Sequence, residues 1–278
     1  APLFCGSNSP RNQEVENMSF ISVENLSLCY GDKKILDSVS LEISKGDFFA
    51  LIGPNGAGKS SLLKCVGGLN KKFSGSVKLE GRNVYEMSEK AAARRIAWVH
   101  QSVSETLPFT VREFAIMSRY PWHSGFSGSG KGDSEAVDKA IETASVEDIA
   151  DRRLDTLSGG ERQKALIAAA LAQSTDILFL DEPASFLDYR HQAETLSLIE
   201  KINQKENITV LLVTHDINFA LHGANKCAAL KKGRVVWQGE SMGLLNKNVL
   251  DDIFDTGFEL FLQEGKSVPY AAPKGLVR

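Results

Sequence analysis

The chain has 278 residues and a mass of 30.3 kDa, with 42% hydrophobic and 24% charged residues, a globular balance that excludes disordered, collagen-like and disulfide-scaffold classes. Its 32 basic and 35 acidic side chains leave a net charge of -3, so no global field draws it to nucleic acid or to an anionic membrane surface. The four cysteines, Cys5, Cys29, Cys65 and Cys227, show no CxxC or histidine pairing, and the longest apolar runs fall far short of the ~18 to 20 residues that cross a bilayer.

Residues 1–17 lack a basic start and an apolar core, and are expected to be a flexible leader or an expression remnant rather than a signal peptide. From Phe20 the sequence alternates. Ile21, Val23, Leu26 and Leu28, then Val39, Leu41 and Ile43, predict two half-buried strands about a turn at Tyr30, Gly31 and Asp32. FFALIG is a continuous apolar run ending in glycine, the pattern of a strand buried on both faces of a parallel sheet, and a helix is predicted from near Gly58. Strands follow at Val77 and Leu79 and at Ile96 to Val99.

Between about Thr110 and Ala172 the apolar spacing becomes helical, interrupted by a Gly/Ser-rich loop running from Pro121. Strand periodicity returns at DILFLD and ITVLLVTH, with helices at Tyr189 to Lys201 and after Asp216, so βαβ alternation predicts a mostly parallel sheet. Lys226 to Leu230 and Arg234 to Trp237 read as a closing hairpin. Leu244, Leu245, Val249, Leu250, Ile253 and Phe254 read as short helices with packing faces.

GPNGAGKS, Gly53 to Ser60, fits the P-loop pattern G-x-x-x-x-G-K-[ST] where a strand gives way to a helix. Backbone N–H groups can close on a polyphosphate there, Lys59 can reach the β and γ phosphates, and Ser60 can hold Mg²⁺. ILFLDE delivers Asp181 and Glu182 to a strand end, where the first can approach a metal and the second can orient or deprotonate a water. Taken alone, the two read equally well as solvated strand-end carboxylates. LSGGE places Ser158 and Glu161 at capping-box spacing, so Gly159 and Gly160 either begin an ordinary helix or expose an anion site. His215 follows an apolar strand, a position more often structural than catalytic when it stands alone.

Tyr30, GPNGAGKS, Gln101, LSGGE, ILFLDE, Ser185 to Asp188 and His215 occur in the order and spacing of the ATP-binding cassette family, which the chain resembles over about residues 19–240. SRYPW, LSGGERQKALIAAALAQ, DEPASFLDYRHQ and THDINFALHGANK look like the branch that drives bacterial import of iron–siderophore complexes, haem or cobalamin. The resemblance implies an α/β P-loop NTPase with a RecA-like core, an antiparallel β layer and an inserted helical subdomain. A nucleotide-binding domain is expected over residues 18–240, its insert at about 102–172, with a helical tail of the same domain over 241–278.

It also implies ATP and Mg²⁺ as ligands. Tyr30 would stack on adenine, and Gly53, Pro54, Asn55, Gly56, Ala57, Gly58, Lys59, Ser60 and Ser61 would cradle phosphates. Ser60, Gln101 and Asp181 would serve the metal, with Glu182 as catalytic base and His215 and Gln101 at the γ-phosphate. Ser158, Gly159, Gly160 and Glu161, with Asp188, would complete the site of a second copy of the chain in a head-to-tail dimer. Membrane permease subunits would receive the motion and a solute-binding protein would deliver cargo, with no nucleic acid involved. The chain would lie peripherally on the cytoplasmic face of the bacterial inner membrane. Ala184, His100 and Ser118 depart from the commonest family pattern without removing a catalytic group. A zinc or manganese importer, an exporter's separate cassette and a non-transport mechanical ATPase are the alternatives; the last usually carries a coiled coil or second cassette, which this sequence lacks.

Overall fold

The computed structural model describes residues 19–100, 107–123, 131–246, 248–265 and 267–275. The expectations for residues 1–17 and for Gln101 lie outside the described residues. The N-terminal alternation folds into β1 (Ile21–Tyr30) and β2 (Lys33–Ile43), antiparallel about the turn at Gly31 and Asp32. Next come β3 (Phe48–Ile52), α1 (Lys59–Val66), β4 (Ser74–Leu79), β5 (Arg82–Asn83), α2 (Glu89–Ala93) and β6 (Ile96–Val99). The expected insert supplies α3 (Val111–Met117), α4 (Lys131–Ala144) and α5 (Gly159–Ala172), which pack on one another. The chain returns through β7 (Ile177–Asp181), α6 (Tyr189–Glu206), β8 (Thr209–Val213), α7 (Ile217–Gly223), β9 (Lys226–Lys231) and β10 (Arg234–Glu240). It continues with α8 (Val249–Phe254), β11 (Phe258–Phe261) and β12 (Tyr270–Pro273).

Two sheets form the body. The larger runs β10-β9-β3-β8-β7-β6, parallel except for the β9–β10 hairpin, and the smaller runs β2-β1-β4-β5, antiparallel throughout. Side chains of a strand alternate between faces, so the continuous apolar strands feed two cores at once. Phe48, Ala50, Ile52, Leu178 and Leu180 join the helices, whereas Phe49, Leu51, Ile177 and Phe179 meet α1 and the antiparallel layer. A charged residue at any of these positions has no solvated side to turn to, which is why FFALI and ILFLD carry none before the terminal Asp181. Burial pushes the Cys65 and Cys227 thiols up to about 12, so both stay protonated and act as packing residues.

Two boundaries move. The helix expected from Tyr189 to Lys201 runs on to Glu206, where Asn207 ends it in the left-handed region at φ 53. The tail is helical only through Phe254; Phe258–Phe261 and Tyr270–Pro273 then pair as antiparallel strands, which the helical tail expected for 241–278 did not include. A four-residue strand is too short to show a period, and its pairing partner lies across a loop.

Candidate nucleotide site

The phosphate loop connects β3 to α1, with Gly53 at φ 139. A Cβ there would stand 2.0 Å from the Leu230 carbonyl oxygen on β9, so backbone shape and strand packing both demand glycine. Gly53→Ala is therefore expected to cost about 3 kcal/mol or more, read as a lower urea midpoint. Gly58 caps α1 without a side-chain acceptor, which leaves the first-turn N–H groups of the helix for an anion. Lys59 opens the helix and is only 6% exposed; its Nζ donates to the carbonyls of Gly53 at 2.8 Å and Pro54 at 3.2 Å. Burial holds the Lys59 ammonium below its ordinary range, and the charges of Glu182 and Asp181 offset part of that effect. The geometry suits a cation that gains from a phosphate brought against it.

Beside the loop, Ser60 Oγ donates to Asp181 Oδ1 at 2.9 Å. Burial pushes the Asp181 carboxyl up, the Ser60 hydrogen bond opposes this, and the Glu182 charge adds to it. This oxygen pair fits Mg²⁺, which takes one or two carboxylates and completes its shell with phosphates and water. No three-residue metal cluster occurs among the described residues, as that mode of binding requires none. Asp181→Asn keeps an oxygen for Ser60 and removes the disfavoured charge. A carboxyl whose folded pKa is raised is least costly when protonated, so the ligand-free variant is expected to melt a few degrees above the parent at pH 7. Calorimetry should show the gap closing as pH falls through the carboxylate range.

Glu182 lies one residue beyond the strand, at φ 52. This is a strained conformation for a non-glycine residue, and the backbone around it supports it: Glu182 N–H donates to Val213 O at 2.9 Å, and Ser185 N–H donates to Glu182 O at 3.1 Å. The turn sends Glu182 away from Asp181 and toward β8, where Oε2 meets His215 Nδ1 at 2.7 Å and accepts from Ser185 Oγ at 3.0 Å. Asn55, Glu182, Ala184, Ser185, Phe186, Gln192, Thr214, His215 and Asp216 line a cleft of about 440 Å³. The edge of the parallel sheet thus gathers the P-loop, an oxygen pair suited to a divalent cation and a carboxylate–imidazole pair, groups able to hold a polyphosphate and orient a water.

Tyr30 closes β1 with its ring 53% exposed and its hydroxyl accepting from Asn70 Nδ2 at 3.1 Å, which leaves the ring face available for stacking. The LSGGE residues are not gathered into the cleft. Ser158 and Glu161 form the capping box that starts α5: Glu161 N–H donates to Ser158 Oγ at 3.3 Å and Ser158 N–H to Glu161 Oε2 at 2.9 Å. Gly160 passes so close to α6 that a Cβ would come 2.0 Å from His191 Cδ2. Asp188 caps α6, accepting from His191 N–H at 2.9 Å. Within one chain these residues are helix starts, with Ser158 and Gly159 exposed. Sequence reasoning missed Thr214, whose hydroxyl accepts from Asp216 N–H at 3.0 Å and fixes the backbone on both sides of His215. The Thr-x-Asp spacing around the histidine was the available signal.

A family model described as ABC transporter matches residues 36–185. A Bacillus subtilis protein described as a siderophore transport system ATP-binding protein, YusV, is 39% identical over 93% of this chain and 94% of its own. Among solved structures, one described as a metal-chelate type ABC transporter in an inward-facing conformation is 28% identical with a TM-score of 0.80, covering 92% of this chain and 97% of that one. The dimeric structure of a bacterial ABC transporter cassette is also 28% identical, with a TM-score of 0.70 over 80% of this chain and 98% of that one. With more than half its length matched by the family model and a relative 39% identical over 93% of it, the chain belongs to the ABC transporter family, and its nucleotide site is that of an ATPase.

Proposed function

We propose that this chain is the ATP-hydrolysing subunit of a bacterial importer of ferric siderophores or closely related metal chelates. The observation that carries hydrolysis is the Glu182–His215 pair at 2.7 Å beside the Ser60–Asp181 pair at 2.9 Å. The cargo class is supported by similarity along nearly the whole chain to a siderophore-system protein. The P-loop amides and Lys59 bind the β and γ phosphates, and Tyr30 offers a face for adenine. Ser60 and Asp181, with Gln101, would hold Mg²⁺, which neutralises phosphate charge when bound. Hydrogen bonds from Ser185 and His215 to Oε2 orient Glu182 and leave Oε1 to accept the proton of a water directed at the γ-phosphorus. With both ring nitrogens protonated, His215 donates from Nδ1 to Glu182 and can donate from Nε2 to a γ-phosphate oxygen.

Two copies would close head to tail, the exposed Ser158 and Gly159 at the start of α5 capping the γ-phosphate held by the partner. ATP then favours the closed pair, because a ligand bound only in that state stabilises it by mass action, and hydrolysis removes the bridging group. Among the described residues no helix is long and apolar enough to cross a membrane. Permease subunits would carry the transport path and hold this chain against the cytoplasmic face of the membrane, with a solute-binding protein delivering cargo. Deleting the gene from its host should abolish uptake of radiolabelled ferric siderophore. A plasmid copy should restore it, and a Glu182→Gln copy should not. Undiminished uptake of siderophores, haem and cobalamin in the deletion strain would overturn the import reading.

A further inference from the structure

The C-terminal hairpin takes no part in the nucleotide cleft, yet its outer strand is wired to it. Ala271 on β12 stands opposite Leu260 of β11, while its own N–H and C=O turn the other way, toward α7. There Asn218 meets both: its Nδ2 donates to Ala271 O at 3.0 Å, and its Oδ1 accepts from Ala271 N–H at 2.8 Å. One carboxamide thus pairs with the strand as a neighbouring backbone would. Ala271 is buried and Asn218 half-buried, so these bonds are shielded from competing water.

Asn218 is also in the first turn of α7, two residues after the helix cap. Asp216 Oδ1 accepts from the N–H groups of Asn218 at 2.8 Å and Phe219 at 3.2 Å, and Asp216 N–H in turn donates to Thr214 Oγ1 at 3.0 Å. Between Thr214 and Asp216 lies His215, bonded to Glu182. An unbroken series of hydrogen bonds therefore runs from the Ala271 backbone through Asn218, Asp216 and Thr214 to the backbone that carries His215. A second contact joins the same elements: the rings of His222, late in α7, and Tyr270 on β12 lie 4.4 Å apart.

We propose that the C-terminal hairpin is a positioning element of the hydrolytic site, acting through Asn218 to hold the start of α7 and hence the His215 imidazole against Glu182. Asn218 does not line the cleft and is a positioning residue. The P-loop and Lys59, which hold most of the polyphosphate, have no part in this series, so the hairpin acts on turnover far more than on nucleotide affinity. Small misplacements of reacting groups are costly in rate, which gives such a strut functional weight.

The inference rests on the ATPase reading, and one set of full-length variants tests the two separately. Wild-type turnover and its loss in His215→Ala examine the ATPase reading; if His215→Ala turned over at the wild-type rate, that reading of His215 would fail whatever the hairpin does. For the hairpin, Asn218→Ala is expected to lower kcat roughly tenfold with KM for ATP within about twofold of wild type. Asn218→Asp is isosteric, keeps an acceptor for Ala271 N–H and removes only the donor to Ala271 O, so it should lower kcat in the same direction even if Asn218→Ala folds poorly. In the His215→Ala background, Asn218→Ala should change kcat no further, since the group it positions is gone. Wild-type kcat in both single variants, or the same tenfold loss repeated without His215, would overturn the proposal.

Discussion

Glu182→Gln is expected to lower ATP turnover about 10²- to 10³-fold while leaving ATP binding within a few fold of wild type, because the substitution removes a proton acceptor and little else. Gln has the length of Glu and retains an oxygen that can accept from Ser185 Oγ and His215 Nδ1, the two groups that orient the side chain at 3.0 and 2.7 Å. The strained backbone at φ 52 is equally accessible to either residue. Single-turnover hydrolysis and equilibrium ATP binding on the same sample separate the two quantities. The variant should also accumulate as an ATP-dependent dimer in light scattering, since the bridging γ-phosphate persists. Turnover near wild type would remove Glu182 from the role of base.

Lys59→Ala acts at the opposite end of the cycle. The ammonium donates to the Gly53 and Pro54 carbonyls at 2.8 and 3.2 Å, and it is buried at a cost that lowers its proton affinity. A charge-assisted contact to phosphate is worth about 1.5–3 kcal/mol, so ATP affinity is expected to fall about 10- to 100-fold in calorimetric titration. The cost of burying the cation disappears with it, which keeps the ligand-free protein close to wild type in stability. Hydrolysis then becomes undetectable at low ATP and partly recovers at high ATP, the pattern of lost binding rather than lost chemistry. An unchanged affinity would remove Lys59 from the phosphate site.

Much of this was legible in the sequence because it depends on local rules. Strands buried on both faces need uninterrupted apolar runs, and FFALI, ILFLD and TVLLV are such runs. A helix that starts under a phosphate loop needs small residues where backbones approach, and GPNGAGKS supplies them. The capping box of α5 follows from Ser158 and Glu161 alone. For those features a residue's neighbours in sequence are also its neighbours in space.

The reach of local rules ends where partners are distant. Whether Asp181 and Glu182 were a solvated pair or two separate tools could not be read from adjacent letters. The left-handed turn at Glu182 decides it, sending one carboxylate to Ser60, 121 positions away, and the other to His215, 33 positions away. The final hairpin was missed for the same reason: its strands are four residues each, and what orders β12 is a carboxamide on α7, 53 positions earlier. Sequence by itself determined the elements, the phosphate loop and the inventory of chemical groups, since these are set by periodicity and by residue shape. Only the tertiary structure decided which groups meet, because hydrogen bonds between distant segments form where the sheet brings their ends to one edge.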